Sequence, residues 1–290
     1  MMSWIAIDEE QCNACGICIT RCAAVFAKTD GKVTAKANEQ TCNLCGHCVA
    51  LCPTDAIVHH QMNMDNFVRY DKKVSFETRD FVQFIRERRS HRFFKNQPIP
   101  REDLETLVDV CRYAPTGSNV QNVEIILVQD RDKISQYANL TMDYFISRIE
   151  SLKETLATLE ARGQKDTPEW FEAARHLRYG TGFAPARKAG YDPIFYRAPA
   201  VMIFHSPMLT SMPAANGVIA STTVALTART MGLETCYIGL CEMAANDYPP
   251  LAEALSLPAG HRVFSVIILG YPRLRYLRAV DRKPIAVRWE

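Results

Sequence analysis

Two cysteine motifs of identical spacing constrain the fold of this chain more than any other feature. The first, CNACGICITRC, runs from Cys12 to Cys22, and the second, CNLCGHCVALCP, runs from Cys42 to Pro53. Both read C-x2-C-x2-C-x3-C, and together they hold eight of the eleven cysteines. A segment of about sixty residues buries too little apolar surface to be comfortably stable alone. We therefore expect metal ligation to supply much of its stability.

Three uses of these cysteines compete. The opening MMSWIAIDEEQC lacks the basic region and apolar run of a secretory signal, which predicts a reducing compartment and disfavours disulfides. Zinc sites prefer two C-x2-C pairs separated by a longer loop. Three thiolates at intervals of three residues suit three corners of a cubane cluster, so the spacing favours iron and sulfide over zinc.

Over about residues 3–60 the motifs resemble the two-[4Fe-4S] ferredoxin family, in which the fourth cysteine of each motif ligates the other cluster. The resemblance implies one cluster on Cys12, Cys15, Cys18 and Cys52. It implies a second cluster on Cys42, Cys45, Cys48 and Cys22. Ala23 stands where the family usually has proline, so we expect a local change in that turn with the cluster retained. Gly16 and Gly46 lie where each loop must bend tightly.

Charge and hydropathy exclude two classes of partner. The net charge is +2, and the only dense basic run is Arg86 to Arg92, which argues against nucleic-acid binding. The longest apolar runs, VEIILV and SVIILG, are far shorter than the roughly 20 residues that cross a bilayer. We expect a cytoplasmic protein with no membrane partner.

Residues 61–77 show no sustained period and are predicted to be a linker, with His59 and His60 solvated beside it. From residue 78 to 290, helical and strand patterns interleave, which predicts α+β or α/β with helices covering a sheet. A helix is expected from Thr78, as its N-cap, to Ser90, and a second one is marked by the apolar stripe of Leu104, Leu107, Val108 and Cys111. Further helices are expected near 131–160 and 167–178 and from Ala214 to Met231. Strands are expected at 123–128 and 199–206, in ETCYIGL and in RVFSVIILG.

Four segments in this part, in order, resemble the FMN-dependent nitroreductase family. They are RRSHRFF (88–94), YAPTGSNVQN (113–122), GLETCYIGL (232–240) and LGYPRLRYLRAVDRKP (269–284). The resemblance covers about residues 78–290. It implies an α+β fold with a mainly antiparallel sheet in a three-layer arrangement, flanked by helices. It also implies a homodimer with FMN at the interface.

An FMN phosphate is a compact dianion, and one basic cluster suits it. Arg88, Arg89 and Arg92 can offer charge-assisted forks, and Ser90 adds a hydroxyl donor. The competing interpretation is a solvated helix end, where cations also suit the helix dipole. The resemblance adds Arg282 on the phosphate, assisted by Lys283.

The resemblance assigns the remaining flavin contacts. It places Pro115, Thr116, Gly117, Ser118 and Asn119 against the flavin across the dimer interface. The backbone amides of Ile238 and Gly239 would lie near flavin N5 and O4. Ile238 stands where some relatives have glutamate, and Gln121-Asn122-Val123 replaces the common Gln-Pro-Trp. These departures put the local polarity and any ring stacking in doubt.

Residues 141–197 exceed what a minimal nitroreductase needs and are predicted to be a lid or an interface. The candidate substrate contacts within them are His176, Tyr179, Arg187 and Tyr191. The remaining cysteines and strand histidines are interpreted as structural, namely Cys111, Cys236, Cys241, His205 and His261.

The sequence predicts an oxidoreductase in which electrons enter two [4Fe-4S] clusters, pass to FMN, and reduce a nitroaromatic, quinone or activated alkene. An external ferredoxin or another low-potential donor would supply them. Two alternatives stay open. NAD(P)H could reduce the flavin directly, with the clusters drawing electrons outward, although no G-x-G-x-x-G motif marks a separate nicotinamide domain. The chain could also be a non-catalytic redox carrier or sensor.

Overall fold

The structure is a computed structural model that describes residues 3–290. Contacts divide the chain into two units. The first contains the described residues up to Phe76 together with Ser118–Val120. The second contains Glu77–Gly117 and Gln121–Glu290. Most of the predicted 61–77 linker therefore groups with the first unit.

The first unit consists of two small antiparallel sheets and two short helices. Strand β1 (Ile5–Ile7) pairs with β4 (Ile57–His59), and β2 (Phe26–Thr29) pairs with β3 (Lys32–Ala35). Helices α1 (Ile17–Arg21) and α2 (His47–Ala50) follow Gly16 and Gly46, whose φ angles are 76° and 67°. This left-handed conformation favours glycine and confirms the tight bends expected in both cysteine loops.

The prediction that His59 is solvated is wrong. His59 is the last residue of β4, pairs with Ile5, and is 1% exposed. Its Nε2 atom lies 3.4 Å from the Sγ atom of Cys42. The alternating pattern of β4 turns this side chain inward, whereas its neighbour His60 is exposed as expected.

The second unit is built on a four-stranded antiparallel sheet of order β5-β6-β8-β7. The strands are β5 (Glu124–Val128), β6 (Ala200–Pro207), β7 (Glu234–Tyr237) and β8 (His261–Gly270). The two central strands, β6 and β8, are buried along most of their length because helices cover both faces. Continuous apolar runs are typical of strands in this position.

Eight helices of this unit surround the sheet. They are α3 (Thr78–Glu87), α4 (Arg101–Val110), α5 (Arg131–Ser147), α6 (Ile149–Ala161), α7 (Pro168–Lys188), α8 (Pro213–Thr230), α9 (Gly239–Asp247) and α10 (Pro249–Ala254). One core packs α4 and α8 against one face of the sheet, and a larger core packs α5, α7, α9 and α10 against the other. The predicted three-layer α+β fold with an antiparallel sheet is confirmed.

Helix α3 is shorter than predicted. It ends at Glu87 rather than near Ser90, because Arg88 adopts an extended backbone conformation with ψ at 121°. Thr78 is its first helical residue, and Glu77 occupies the N-cap position. The shortening releases residues 88–92 from helical geometry, which determines where their side chains point.

The long segment 141–197 forms a packed helical layer in its central part. Phe145 on α5 and Phe183 on α7 are buried in the larger core, with ring centroids 5.7 Å apart. Gly180 on α7 faces the backbone of α5. A movable lid would have to lie outside this anchored contact. Within residues 3–290, none of the helices is long and apolar enough to cross a membrane.

We predict that Gly180→Ala destabilises the second unit by about 1–3 kcal/mol through overpacking. A Cβ atom at this position would lie 2.6 Å from the Phe145 carbonyl oxygen and 2.9 Å from Ile149 Cγ1. Gly182→Ala on the same helix is the matched control, since no atom lies within 4 Å of its Cβ position. The control should be neutral or stabilising by up to about 1 kcal/mol in denaturant unfolding. Equal effects of the two substitutions would contradict the packing of α7 on α5.

Candidate cofactor sites

The cysteines predicted for the first cluster line one small cavity. Cys12, Cys15, Cys18 and Cys52 surround it, together with apolar side chains such as Ile7 and Val33. Three of these thiols come from the first motif and the fourth from the end of the second. The fold thus brings together the crossed set that the ferredoxin resemblance implies.

The second set has an equivalent local geometry. Cys42 and Cys45 lie on the loop leading into α2, Cys48 lies within α2, and Cys22 is the C-cap of α1. The residue directly before the second cysteine has a positive φ angle in both motifs, 52° at Ala14 and 56° at Leu44. The repeated sequence therefore folds into a repeated loop conformation, and α1 contacts α2.

The thiols have the chemistry that iron–sulfur ligation requires. All eleven cysteines lie within residues 3–290, and none forms a disulfide. Burial raises the pKa of the Cys18 thiol and raises that of Cys48 to about 11, so cluster binding has to displace the protons of these thiols. Most members of both sets pack against the apolar core of the first unit, which shields a bound cluster from water. These residues fit a 4Fe–4S centre at the cavity.

The predicted phosphate cluster divides between two sides of the chain. Residues 88–92 run beside β7, where the His91 amide donates to the Thr235 carbonyl, and successive side chains alternate in direction. Ser90, Arg92 and Arg88 lie near enough to the thiol of Cys236 to favour its charged form. Burial nevertheless raises the pKa of the Cys236 thiol.

Arg89, whose buried Nε atom makes no hydrogen bond, has different surroundings from these three residues. Together with His91 it lines a separate cavity of about 1030 Å³ that is rich in arginine. The other cationic side chains lining this cavity are Arg79, Arg86, Lys95, Arg229, Arg273, Arg275 and Arg278. The structure thus assembles Arg88, Ser90 and Arg92 around Cys236 and does not bring Arg89 to them.

The Arg88 side chain has an unused donor. Its Nη1 atom is buried and makes no hydrogen bond. The Arg88 charge nevertheless acts on the carboxyl group of Glu234. Glu234 itself is held by Arg229, and burial raises the pKa of its carboxyl group. An unsatisfied buried guanidinium nitrogen costs free energy unless a ligand supplies an acceptor. This donor set fits a phosphate group.

The predicted flavin loop is anchored by a residue that sequence reasoning missed. Asn216, at the start of α8, is 1% exposed and accepts a hydrogen bond from the Gly117 amide at 2.9 Å. Its Nδ2 atom donates to the Ser211 carbonyl and to Asn122 Oδ1. The signal available in the sequence was a lone amide within the small-residue stretch AANG.

The same loop is divided between the two units. Pro115, Thr116 and Gly117 belong to the second unit, whereas Ser118 and Asn119 belong to the first. Asn119 Nδ2 donates to the carbonyls of Asn43 and Leu44 at 2.9 and 3.0 Å. Those carbonyls lie between Cys42 and Cys45. One side chain of the predicted flavin motif thus holds the loop of the second cysteine motif.

The Ile238 amide was expected to donate to the flavin, but it is already used within the protein. It donates to the Val266 carbonyl at 2.8 Å and so extends the pairing of β7 with β8. Gly239 begins α9, and the first amides of a helix have no partner within the helix. The Gly239 amide is therefore available to donate to a ligand. Arg282 and Lys283 lie exposed in an irregular C-terminal segment.

The candidate substrate residues fall into two groups. His176 and Tyr179 join an aromatic cluster on Phe145, and His176 contacts Glu172 at 3.1 Å. Burial lowers the pKa of His176 despite this carboxylate. Arg187 and Tyr191 instead line a cavity of about 720 Å³, where Arg187 pairs with Asp143 at 2.8 Å. These contacts give His176 a packing role and give Arg187 an internal partner.

Comparison with known families and curated proteins gives consistent results. Residues 85–271 match the nitroreductase family, and residues 35–58 match the 4Fe-4S binding domain. A 4-nitrobenzoate reductase from Nocardioides sp. (strain LMS-CY) is 23% identical over 227 residues, covering 71% of this chain and 87% of that protein. Another 4-nitrobenzoate reductase, from Pseudomonas putida, is 26% identical over 163 residues, covering 55% of this chain and 72% of that protein.

Solved structures share the fold. A nitroreductase with bound FMN from Bacteroides fragilis NCTC 9343 has a TM-score of 0.52 at 20% identity, covering 72% of this chain and 98% of that one. Oxidised iodotyrosine deiodinase bound to FMN and 3-iodo-L-tyrosine has a TM-score of 0.51 at 18% identity, with the same two coverages. At these identities the likeness establishes the fold alone.

We predict that Asn216→Ala destabilises the second unit by about 1–3 kcal/mol, because three hydrogen bonds lose their shared partner in the interior. Amide hydrogen exchange at Gly117 should accelerate at the same time. Thr230→Ala at the other end of α8 is the control, since Thr230 is exposed and bonds only within its helix. It should change stability by less than about 0.5 kcal/mol. Unchanged protection of Gly117 in Asn216→Ala would contradict the anchoring role.

Proposed function

Because this chain belongs to the nitroreductase family, we propose that it is an FMN-dependent oxidoreductase whose electrons arrive through two 4Fe–4S clusters. The 4Fe-4S domain match covers Cys42, Cys45, Cys48 and Cys52. The first motif repeats the same spacing and loop conformation. Bound FMN supplies hydride chemistry at N5, and the protein supplies binding and orientation.

The flavin phosphate binds to Arg88, Ser90 and Arg92 in this proposal. Support comes from the assembly of these three side chains around Cys236 and from the unsatisfied buried Nη1 of Arg88. The loop 115–119, anchored on Asn216, and the Gly239 amide contact the rest of the cofactor. Arg282 approaches the phosphate from the C-terminal segment.

The observation that carries the electron route is the presence of a 4Fe-4S domain match and a nitroreductase match in one chain. The motif that contacts flavin in this proposal sends one side chain to the carbonyls of Asn43 and Leu44. These belong to the loop that ligates the second cluster. The second cluster, on Cys42, Cys45, Cys48 and Cys22, is the immediate donor to the flavin in this proposal. External ferredoxin or another low-potential carrier reduces the clusters.

The working form is a homodimer, with part of each flavin site at the interface. Support comes from large apolar side chains that the second unit leaves exposed around the start of α8. They are Leu209, Met212, Val218 and Ile219. Exposed apolar patches of this kind are typical of protein interfaces. The acceptor is a nitroaromatic, a quinone or an activated alkene, and the 4-nitrobenzoate reductases among the relatives favour a nitroaromatic.

An anaerobic reduction experiment tests the function. The purified holoprotein is assayed for iron and FMN, then mixed with reduced ferredoxin or with NAD(P)H while flavin absorbance is followed. The proposal expects both cofactors, flavin reduction by ferredoxin, and reoxidation on adding 4-nitrobenzoate. Reduction by NAD(P)H but not by ferredoxin would reverse the electron direction. A flavin that no added acceptor reoxidises would favour a carrier or sensor.

Arg92→Ala should raise the dissociation constant of FMN about tenfold to a hundredfold, the loss expected for a charge-assisted hydrogen bond. Arg89→Ala is the matched control, because Arg89 points into the separate arginine-lined cavity. It should change the constant less than about threefold. Fluorescence titration of the apoprotein with FMN measures both. A larger effect of Arg89→Ala would move the phosphate site to the other cavity.

Cys52→Ser should reduce the iron of the first cluster, because Cys52 lines that cavity although it belongs to the second motif. Iron content and the electron paramagnetic resonance spectrum of the reduced protein measure this loss. Cys111→Ser is the control, since that thiol bonds to the Leu107 carbonyl on α4, within the second unit. The control should keep full iron. Loss of the second cluster alone in Cys52→Ser would show that the motifs are not crossed.

A further inference from the structure

Three side chains with metal-binding chemistry meet on the sheet of the second unit. They come from three adjacent strands: Glu124 from β5, His205 from β6 and His261 from β8. One ligand atom from each lies within 4.8 Å of the other two. The Nδ1 atoms of the two histidines are 3.0 Å apart. None of the three contributes to the proposed cluster or flavin sites.

A β-bulge brings these residues onto one face. Residues of β6 and β8 pair with one register up to Phe204, opposite Ser265, and with a shifted register from His205, opposite Val263. Phe264 is the extra residue. Without it His261 would lie on the opposite face from His205, because side chains alternate along a strand. Glu124 pairs directly with His205 and so shares its face. Bulges of this type commonly re-aim side chains at functional sites.

The separation of the imidazole nitrogens suits a shared metal ion. Metal–nitrogen bonds of about 2.0–2.1 Å at a tetrahedral angle put two ligand nitrogens about 3.3 Å apart, and a right angle puts them about 2.9 Å apart. The observed 3.0 Å lies within this range. Two imidazoles and one carboxylate are a donor set for zinc and neighbouring divalent transition metals rather than for Ca²⁺ or Mg²⁺.

We propose that Glu124, His205 and His261 bind one divalent transition-metal ion, with Zn²⁺ the best match, and leave one coordination position for water. His205 is 4% exposed, so this ligand is held by the packing of the protein interior. Glu124 is exposed, so the ion has a direct route from solvent. The ion links β5, β6 and β8 across the bulge and replaces the direct contact between the two rings.

The test uses holoprotein loaded with iron and FMN, so that the cysteines are occupied. The protein is equilibrated with Zn²⁺ under anaerobic conditions, dialysed, and analysed for zinc, and its zinc X-ray absorption spectrum is recorded. His261→Gln removes one ligand at a partly exposed position. Glu124→Gln removes another at the surface and keeps the side-chain volume, so it serves if His261→Gln fails to fold. His60→Gln is the control, because His60 is an exposed histidine of the first unit.

The proposal expects one zinc per chain in the wild type and in His60→Gln, with a shell of nitrogen and oxygen that includes two imidazoles. His261→Gln and Glu124→Gln should each weaken binding at least tenfold, and zinc should raise the melting temperature of the wild type but not of these variants. Three results would overturn it: no zinc retained by the wild type, a shell that contains sulfur, or equal binding by the wild type and the ligand variants.

Discussion

The antiparallel pairing of β6 with β8 is the interaction on which the second unit depends. Both strands lie between two helical layers, so their apolar side chains form the centre of both cores. The order β5-β6-β8-β7 then determines what lies beside them. On one side, β7 carries Cys236 to the Arg88, Ser90 and Arg92 cluster and leads into Gly239 at the start of α9. On the other, β5 brings Glu124 beside His205.

In the first unit the constraint is covalent connectivity. In the proposed arrangement each cysteine motif supplies three ligands through a loop that turns at a glycine, and the fourth ligand comes from the far end of the other motif. Pairing of β1 with β4 joins the two ends of this segment, with Ile5 opposite His59. That pairing holds the segment in a closed form in which Cys52 reaches the first loop. Loss of a crossed ligand therefore affects a loop that is distant in the sequence.

Much of this architecture could be predicted from sequence because the signals were local. Motif spacing indicated the cluster loops, and apolar runs indicated the buried strands. Long-range contacts could not be read in the same way. Asn216 anchors the flavin loop from a helix about a hundred residues later in the chain. His59 is buried because β4 pairs with β1 from the other end of the first unit. The bulge at Phe264 places His261 on the same face as His205, and no period in a single strand reveals a register shift between two strands.

The arginine-rich stretch shows the same limit at shorter range. Composition indicated an anion site at Arg88, Arg89 and Arg92, but the direction of each side chain depends on where α3 ends. The helix stops at Glu87, and beyond it Arg88 and Arg92 lie near Cys236 whereas Arg89 lines the arginine-rich cavity. Sequence could identify the charges, whereas the backbone conformation decides which of them act together.

The central claim is that the clusters reduce the flavin, and the order of reduction within a single turnover tests it most directly. Holoprotein is mixed anaerobically with reduced ferredoxin and frozen at successive times, and cluster and flavin signals are recorded for each sample. The account predicts that the reduced-cluster signal appears first and decays as the flavin becomes reduced. Flavin reduction at full rate while the clusters stay oxidised would contradict it.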